Sequence, residues 1–95
     1  MTLYDERERR EVYTKALNRW GITNQSVVAI EELSECQKEI CKQLRGTGDK
    51  EHMAEEIADS IIMLEQLQMI FSIGNLVAHY MDSKIKRLDA RIDEV

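Results

Sequence analysis

An acidic phrase occurs twice in this chain, 24 positions apart: Glu31-Glu32-Leu33-Ser34-Glu35 and Glu55-Glu56-Ile57-Ala58-Asp59. Each copy lies in a stretch with helical periodicity. Glu32 and Glu35, and likewise Glu56 and Asp59, therefore share one helix face, with Cβ atoms roughly 5–6 Å apart. Two such helices packed together bring four carboxylates to one place. Like charges repel there unless a cation sits among them, so the repeat points to a metal site. With no His or Cys in register, the oxygen ligands favour a hard ion, Mg²⁺ with Mn²⁺ as the other choice, over zinc. Di-iron sites in helix bundles use Glu-x-x-His pairs. Positions 49 and 76, three before His52 and His79, are Asp and Leu, which argues against that chemistry.

Acids spaced three apart are common in a chain with 18 of them among 95 residues; composition alone yields about three such pairs. Glu8 and Glu11 are an internal control. At 100° per residue they point away from the Val12/Ala16/Trp20 stripe, as solvated acids should. Glu56 and Asp59 differ, because their face continues down the helix as Met63, Leu67 and Ile70. Burying unpaired carboxylates costs several kcal/mol. Glu32 and Glu35 are intermediate: Val28 and Cys36 share their side, and the main apolar stripe of that helix lies opposite.

The elements that carry these residues read as four helices in one domain spanning 1–95. The first runs from about Leu3 to Arg19, with Val12, Tyr13, Ala16, Leu17 and Trp20 inward and Gly21 closing it. Thr23 or Asn24 caps the second, which reaches Leu44 with Val27, Ile30, Leu33, Ile40, Cys41 and Leu44 inward. Asp49 caps the third, about Lys50 to Phe71. A turn over Ser72–Asn75 leads into the fourth, ending near Ile92. Short loops favour antiparallel neighbours, hence an all-α, bundle-like fold. Ile61, Ile62, Met63, Leu64, Leu67, Met69, Ile70 and Phe71 cover nearly every face of helix three. Burial on all sides in so small a protein calls for a partner subunit.

No proline, only four glycines and 33% charged residues fit a helical globular protein. A net charge of −5 argues against duplex nucleic acid as a partner. Cys36 and Cys41 lie about 140° apart on one helix and cannot pair with each other, which fits a reducing cytoplasm. The polar opening residues read as no signal peptide, and no apolar run approaches membrane-spanning length.

Trp20-Gly21, Gln25, the phrase Glu31–Glu35, Lys38 to Lys42, Arg45-Gly46 and the phrase Glu55–Asp59 together resemble the small MazG-like nucleotide pyrophosphohydrolases. The likeness is strongest to single-domain, phage-type members. It extends through Leu64-Glu65-Gln66-Leu67 and Lys84-Ile85-Lys86-Arg87-Leu88, covering most of the chain from about residue 17. The resemblance implies an all-α NTP pyrophosphatase fold completed by oligomerisation, as a homodimer or homotetramer. It implies Mg²⁺-dependent cleavage of a nucleoside triphosphate between the α and β phosphates, giving a monophosphate and pyrophosphate. It makes Glu32, Glu35, Glu56 and Asp59 metal ligands, with Glu35 or Glu31 holding the attacking water. Lys84 and Arg87 become phosphate contacts, against the alternative of a basic solvated face. Lys38 and Lys42 are surface charge or a second phosphate clamp, and Trp20 is a core residue or a base-stacking one. His52 and His79 read as ordinary helix-surface residues. Two positions depart from the pattern: Ala58, where larger members have Gly, and Leu88, where many carry Asn. Phosphoribosyl-ATP pyrophosphohydrolase and a non-catalytic helical dimerisation or regulatory module are the competing readings.

Overall fold

The computed structural model describes residues 3–94, so the domain reading over 1–95 reaches beyond them at both ends. Four α-helices follow one another: α1 (Glu6–Trp20), α2 (Ile22–Leu44), α3 (Lys50–Ile70) and α4 (Gly74–Ile92). Among the described residues there is no strand.

The first helix starts later than the expected Leu3. Asp5 forms a capping box: the Glu8 amide donates to Asp5 Oδ1 (2.8 Å) and the Asp5 amide donates to Glu8 Oε1 (3.3 Å). Two of the amides left over at the helix start are thereby satisfied, which sets the boundary at Glu6. Glu8 thus has a structural task, while Glu11 stays exposed, 4.0 Å from Arg7.

The α1/α2 junction is tighter than expected. Gly21, not Thr23 or Asn24, precedes the first residue of α2, and its own amide donates to Leu17 O at 2.9 Å. One residue ends a helix and begins the next at φ 90°, ψ 158°. That backbone region is open to glycine and nearly closed to L side chains. The later boundaries follow the sequence reading closely. Asp49 caps α3, accepting from the Glu51 amide at 2.9 Å, and Ser72 turns the chain towards α4 at φ 55°.

The centre of the fold is the antiparallel α2/α3 hairpin, with its register marked by three cross-helix contacts. Gln25 Nε2 donates to Gln66 Oε1 (2.8 Å), Ser60 Oγ to Glu32 O (3.5 Å), and His52 Nε2 lies 3.2 Å from Glu39 Oε1. The seam is polar. Gln25, Ala29 and Glu39 are the buried residues of α2, and Ser60, Met63 and Gln66 those of α3.

This reverses the expected packing of α2. Val27, Ile30, Ile40, Cys41 and Leu44 are exposed in the single chain, Leu44 to 83%, and Leu33 is only half-buried. The acid-bearing face of α2 meets α3 instead. Because the helices are antiparallel, the Ile30/Ile40/Leu44 and Ile57/Leu64 stripes emerge on one side of the hairpin. Glu35 and Asp59 emerge on the other.

α1 docks on α3 through a charged cluster: Tyr13 Oη donates to Glu65 Oε1 (2.6 Å), and Arg9 Nε donates to the same oxygen (3.0 Å). Burial, reinforced by that hydrogen bond, pushes the Tyr13 hydroxyl up to about 12. Of the expected α1 stripe, Tyr13 is buried and Ala16 and Leu17 are half-buried, but Val12 and Trp20 face outward. α4 has no buried residue. The single chain is therefore a hairpin with two attached helices, not a closed four-helix bundle.

Candidate metal centre

Midway along the hairpin, Glu32 of α2 and Glu56 and Asp59 of α3 each offer an oxygen, all within 4.8 Å of one another. Local structure explains the convergence. Glu56 and Asp59 sit one helical turn apart on the edge of the Met63/Leu67 stripe. Ser60 ties that turn to α2, its Oγ donating to Glu56 O at 2.9 Å and to Glu32 O at 3.5 Å. The two α3 carboxylates so placed act on the Glu32 carboxyl. Burial first, then the charges of Asp59 and Glu56, hold the Glu32 carboxyl above its ordinary value, with a smaller push from Glu35.

Glu56 is the informative member. Its side chain is mostly buried, and Oε2 is shut off from solvent with no hydrogen-bond partner. A buried oxygen bearing negative charge costs several kcal/mol unless something compensates it. A hard divalent cation is the group that three carboxylates and an orphaned oxygen fit. Nitrogen and sulfur ligands are not part of the group.

The expected quartet is thus a trio. Glu35 stands outside the 4.8 Å group, exposed on the same side of the hairpin, and Glu31 is exposed as well. Lys38 on α2, Lys84 and Arg87 on α4, and Trp20 at the end of α1 are all exposed, distributed over three helices. Lys84 lines an apolar groove along α4 with Leu76, Tyr80, Ile85 and Leu88. A separate cleft lies apart from the trio, between α1, the end of α3 and α4, lined by Arg9, Tyr13, Glu65 and Asn75. It is the gap left beside an uncovered helix and holds no cluster of hard-metal ligands.

Sequence reasoning missed two residues next to the trio. Glu39 is 2% exposed, and its Oε1 lies 3.3 Å from Lys42 Nζ and 3.2 Å from His52 Nε2. His52, expected on an ordinary surface, also reaches to 3.9 Å from Glu56 Oε1. The available signal was phase: Gln25, Ala29, Glu32, Cys36 and Glu39 recur at alternating spacings of four and three, the pattern of a packed seam. His79 instead stacks edge-on against Tyr80, with ring centroids 5.2 Å apart. Cys36 and Cys41 are both free.

No helix among the described residues is long and apolar enough to cross a membrane. Compared with protein-family models, curated proteins and solved structures, the chain matches none.

Proposed function

We propose that the chain is a Mg²⁺-dependent nucleoside triphosphate pyrophosphohydrolase, cleaving the α–β phosphate bond of an NTP or dNTP to give NMP and pyrophosphate. The observation that carries the reading is the buried, unpartnered Oε2 of Glu56 inside a three-carboxylate group. The motif resemblance, with the acidic phrases and the basic run on α4, supplies the substrate class. Glu32, Glu56 and Asp59 would hold the ion, with Mn²⁺ as a substitute. When bound, it neutralises the triphosphate and aligns it for attack. Glu35, or Glu31, accepts the proton of the attacking water from the solvent side of the same face. Lys84 and Arg87 meet the phosphates, with Lys38 as a further clamp and Trp20 available to stack on the base. The free thiols of Cys36 and Cys41 are consistent with a reducing cytoplasm.

The working form is a homodimer or homotetramer. The chain exposes 7824 Å², whereas a compact monomer of 11.1 kDa exposes about 5,650 Å². Its radius of gyration is 16.0 Å, against about 12.4 Å for a compact chain of this length. The excess of about 2,200 Å² per chain, or about 4,400 Å² for a pair, falls in the range that obligate homodimers bury in total. The aliphatic side of the hairpin and the apolar edge of α4 are where it lies.

A panel of NTPs, dNTPs and phosphoribosyl-ATP with Mg²⁺, read by chromatography, tests the reading. Monophosphate with pyrophosphate supports it, and turnover of phosphoribosyl-ATP alone assigns the enzyme of histidine synthesis. Diphosphate with phosphate refutes the bond assigned. The exposed apolar surface also suits a non-catalytic dimerisation or regulatory module of the same fold, and no turnover of any nucleotide would select that reading.

A further inference from the structure

We infer that His52, anchored by Glu39, is a positioning residue for the Glu56 carboxylate. The inference rests on the metal-site reading and adds two residues to it. Glu39 is the most deeply buried acid in the hairpin, with its side chain 3% exposed. A carboxylate that deep is kept only where cationic or N–H partners reach it. Lys42 and His52 both do, each within 3.3 Å of the same oxygen, Oε1.

His52 is one turn before Glu56 on α3, and its Nε2 stands between the two acids, 3.2 Å from Glu39 and 3.9 Å from Glu56 Oε1. The two oxygens of Glu56 are thereby made unequal. Oε1 faces the imidazole, whereas Oε2 is buried with no partner in the protein. Held by Glu39 from behind, the ring limits rotation of the Glu56 carboxyl group and leaves Oε2 as the oxygen offered to a cation. Partners that orient a metal ligand in this way typically contribute about 10–100-fold to affinity.

Mn²⁺ binding to the intact chain, read from the free-ion signal in electron paramagnetic resonance, tests this without turnover. His52→Phe keeps a ring but has no N–H, and the site is half-exposed, so the helix tolerates it. It should weaken Mn²⁺ binding about 10-fold. His52→Gln, which restores an N–H donor, should bind within about threefold of wild type. On charge alone, removing an imidazole beside a cation site would leave binding unchanged or tighten it, so weakening reports positioning. Glu39→Gln, which removes the anchor's charge, should weaken binding in the same direction as His52→Phe. Melting curves in EDTA establish that each variant is folded. Wild-type affinity in His52→Phe, or equal weakening in the Phe and Gln variants, overturns the inference and leaves the metal site standing. No Mn²⁺ binding by the wild type, with Glu56→Gln indistinguishable from it, overturns both.

Discussion

Replacing Glu56 with Gln should stabilise the metal-free protein and abolish its response to Mg²⁺. The ligand oxygens of Glu32, Glu56 and Asp59 lie within 4.8 Å of one another. Two unit charges at that separation repel by about 3.5 kcal/mol at an effective dielectric of 20, and by about 0.9 kcal/mol in water. Asp59 is exposed and Glu32 only half-buried, so solvent screening moves each pair towards the lower figure. Glu56→Gln removes two such pairs and supplies an N–H donor where Oε2 now has no partner. The gain is about 2 kcal/mol, or a rise in Tm on the order of 10 °C for a domain of this size. Mg²⁺ at a hundred times its Kd should stabilise the wild type by about 2.7 kcal/mol and the variant far less. The two proteins should therefore change order: the variant melts higher in EDTA, and the wild type gains most from Mg²⁺. Differential scanning calorimetry at matched protein concentration reads both. Glu11→Gln, on the solvated face of α1, is the control and should shift stability by less than about 0.5 kcal/mol. If Mg²⁺ leaves the wild-type Tm unchanged and Glu56→Gln does not raise it in EDTA, the proposed cluster of repelling acids is wrong.

Gly21→Ala should cost about 1–3 kcal/mol in denaturant unfolding, because φ 90° with ψ 158° suits glycine alone; the space around it is open, so a neutral result would contradict the backbone assignment. Tyr13, pushed up to about 12 by burial and its bond to Glu65, should ionise with a delay beyond the ordinary value of 10.0 in an ultraviolet alkaline titration. Its folded pKa lies above the ordinary 10.0, so its contribution to stability is complete below pH 10 and is lost as pH rises towards 12. Glu65→Ala should remove that delay and destabilise by about 1–3 kcal/mol, because the buried hydroxyl loses its acceptor. Ile30→Glu or Leu64→Glu should reduce the sedimentation mass to that of one chain, whereas a wild type already monomeric at 100 times the assay concentration would refute the assembly.

Much of the fold was legible in the chain. Four helices, the loop over 45–49, the cap at Asp49 and the end of α4 follow from periodicity and from glycine and aspartate placement, which are local properties. The capping box at Asp5 was legible too, since Glu8 stands three residues on, but the apolar pattern drew the start of α1 outward to Leu3. The double role of Gly21 was not legible. A glycine marks a turn without saying whether one residue or four make it. The Arg9–Tyr13–Glu65 cluster joins residues more than fifty positions apart, and no local signal connects them.

At the site, the acidic repeat and its spacing alone put Glu56 and Asp59 on one face and matched them with Glu32. A helix of fixed period determines which residues share a face. Which face meets which neighbour is a tertiary decision, and here it went against the simplest expectation. The α2/α3 seam closed on glutamine, serine and acids, leaving α2's aliphatic stripe outside. That choice drew Glu32 into the group, left Glu35 at its solvent edge and buried Glu39 beside His52. In a chain too small to bury all its apolar surface, the physical reason is a division of labour between two sides of one hairpin. The acids converge where α2 meets α3, and the aliphatic side is left exposed in the single chain.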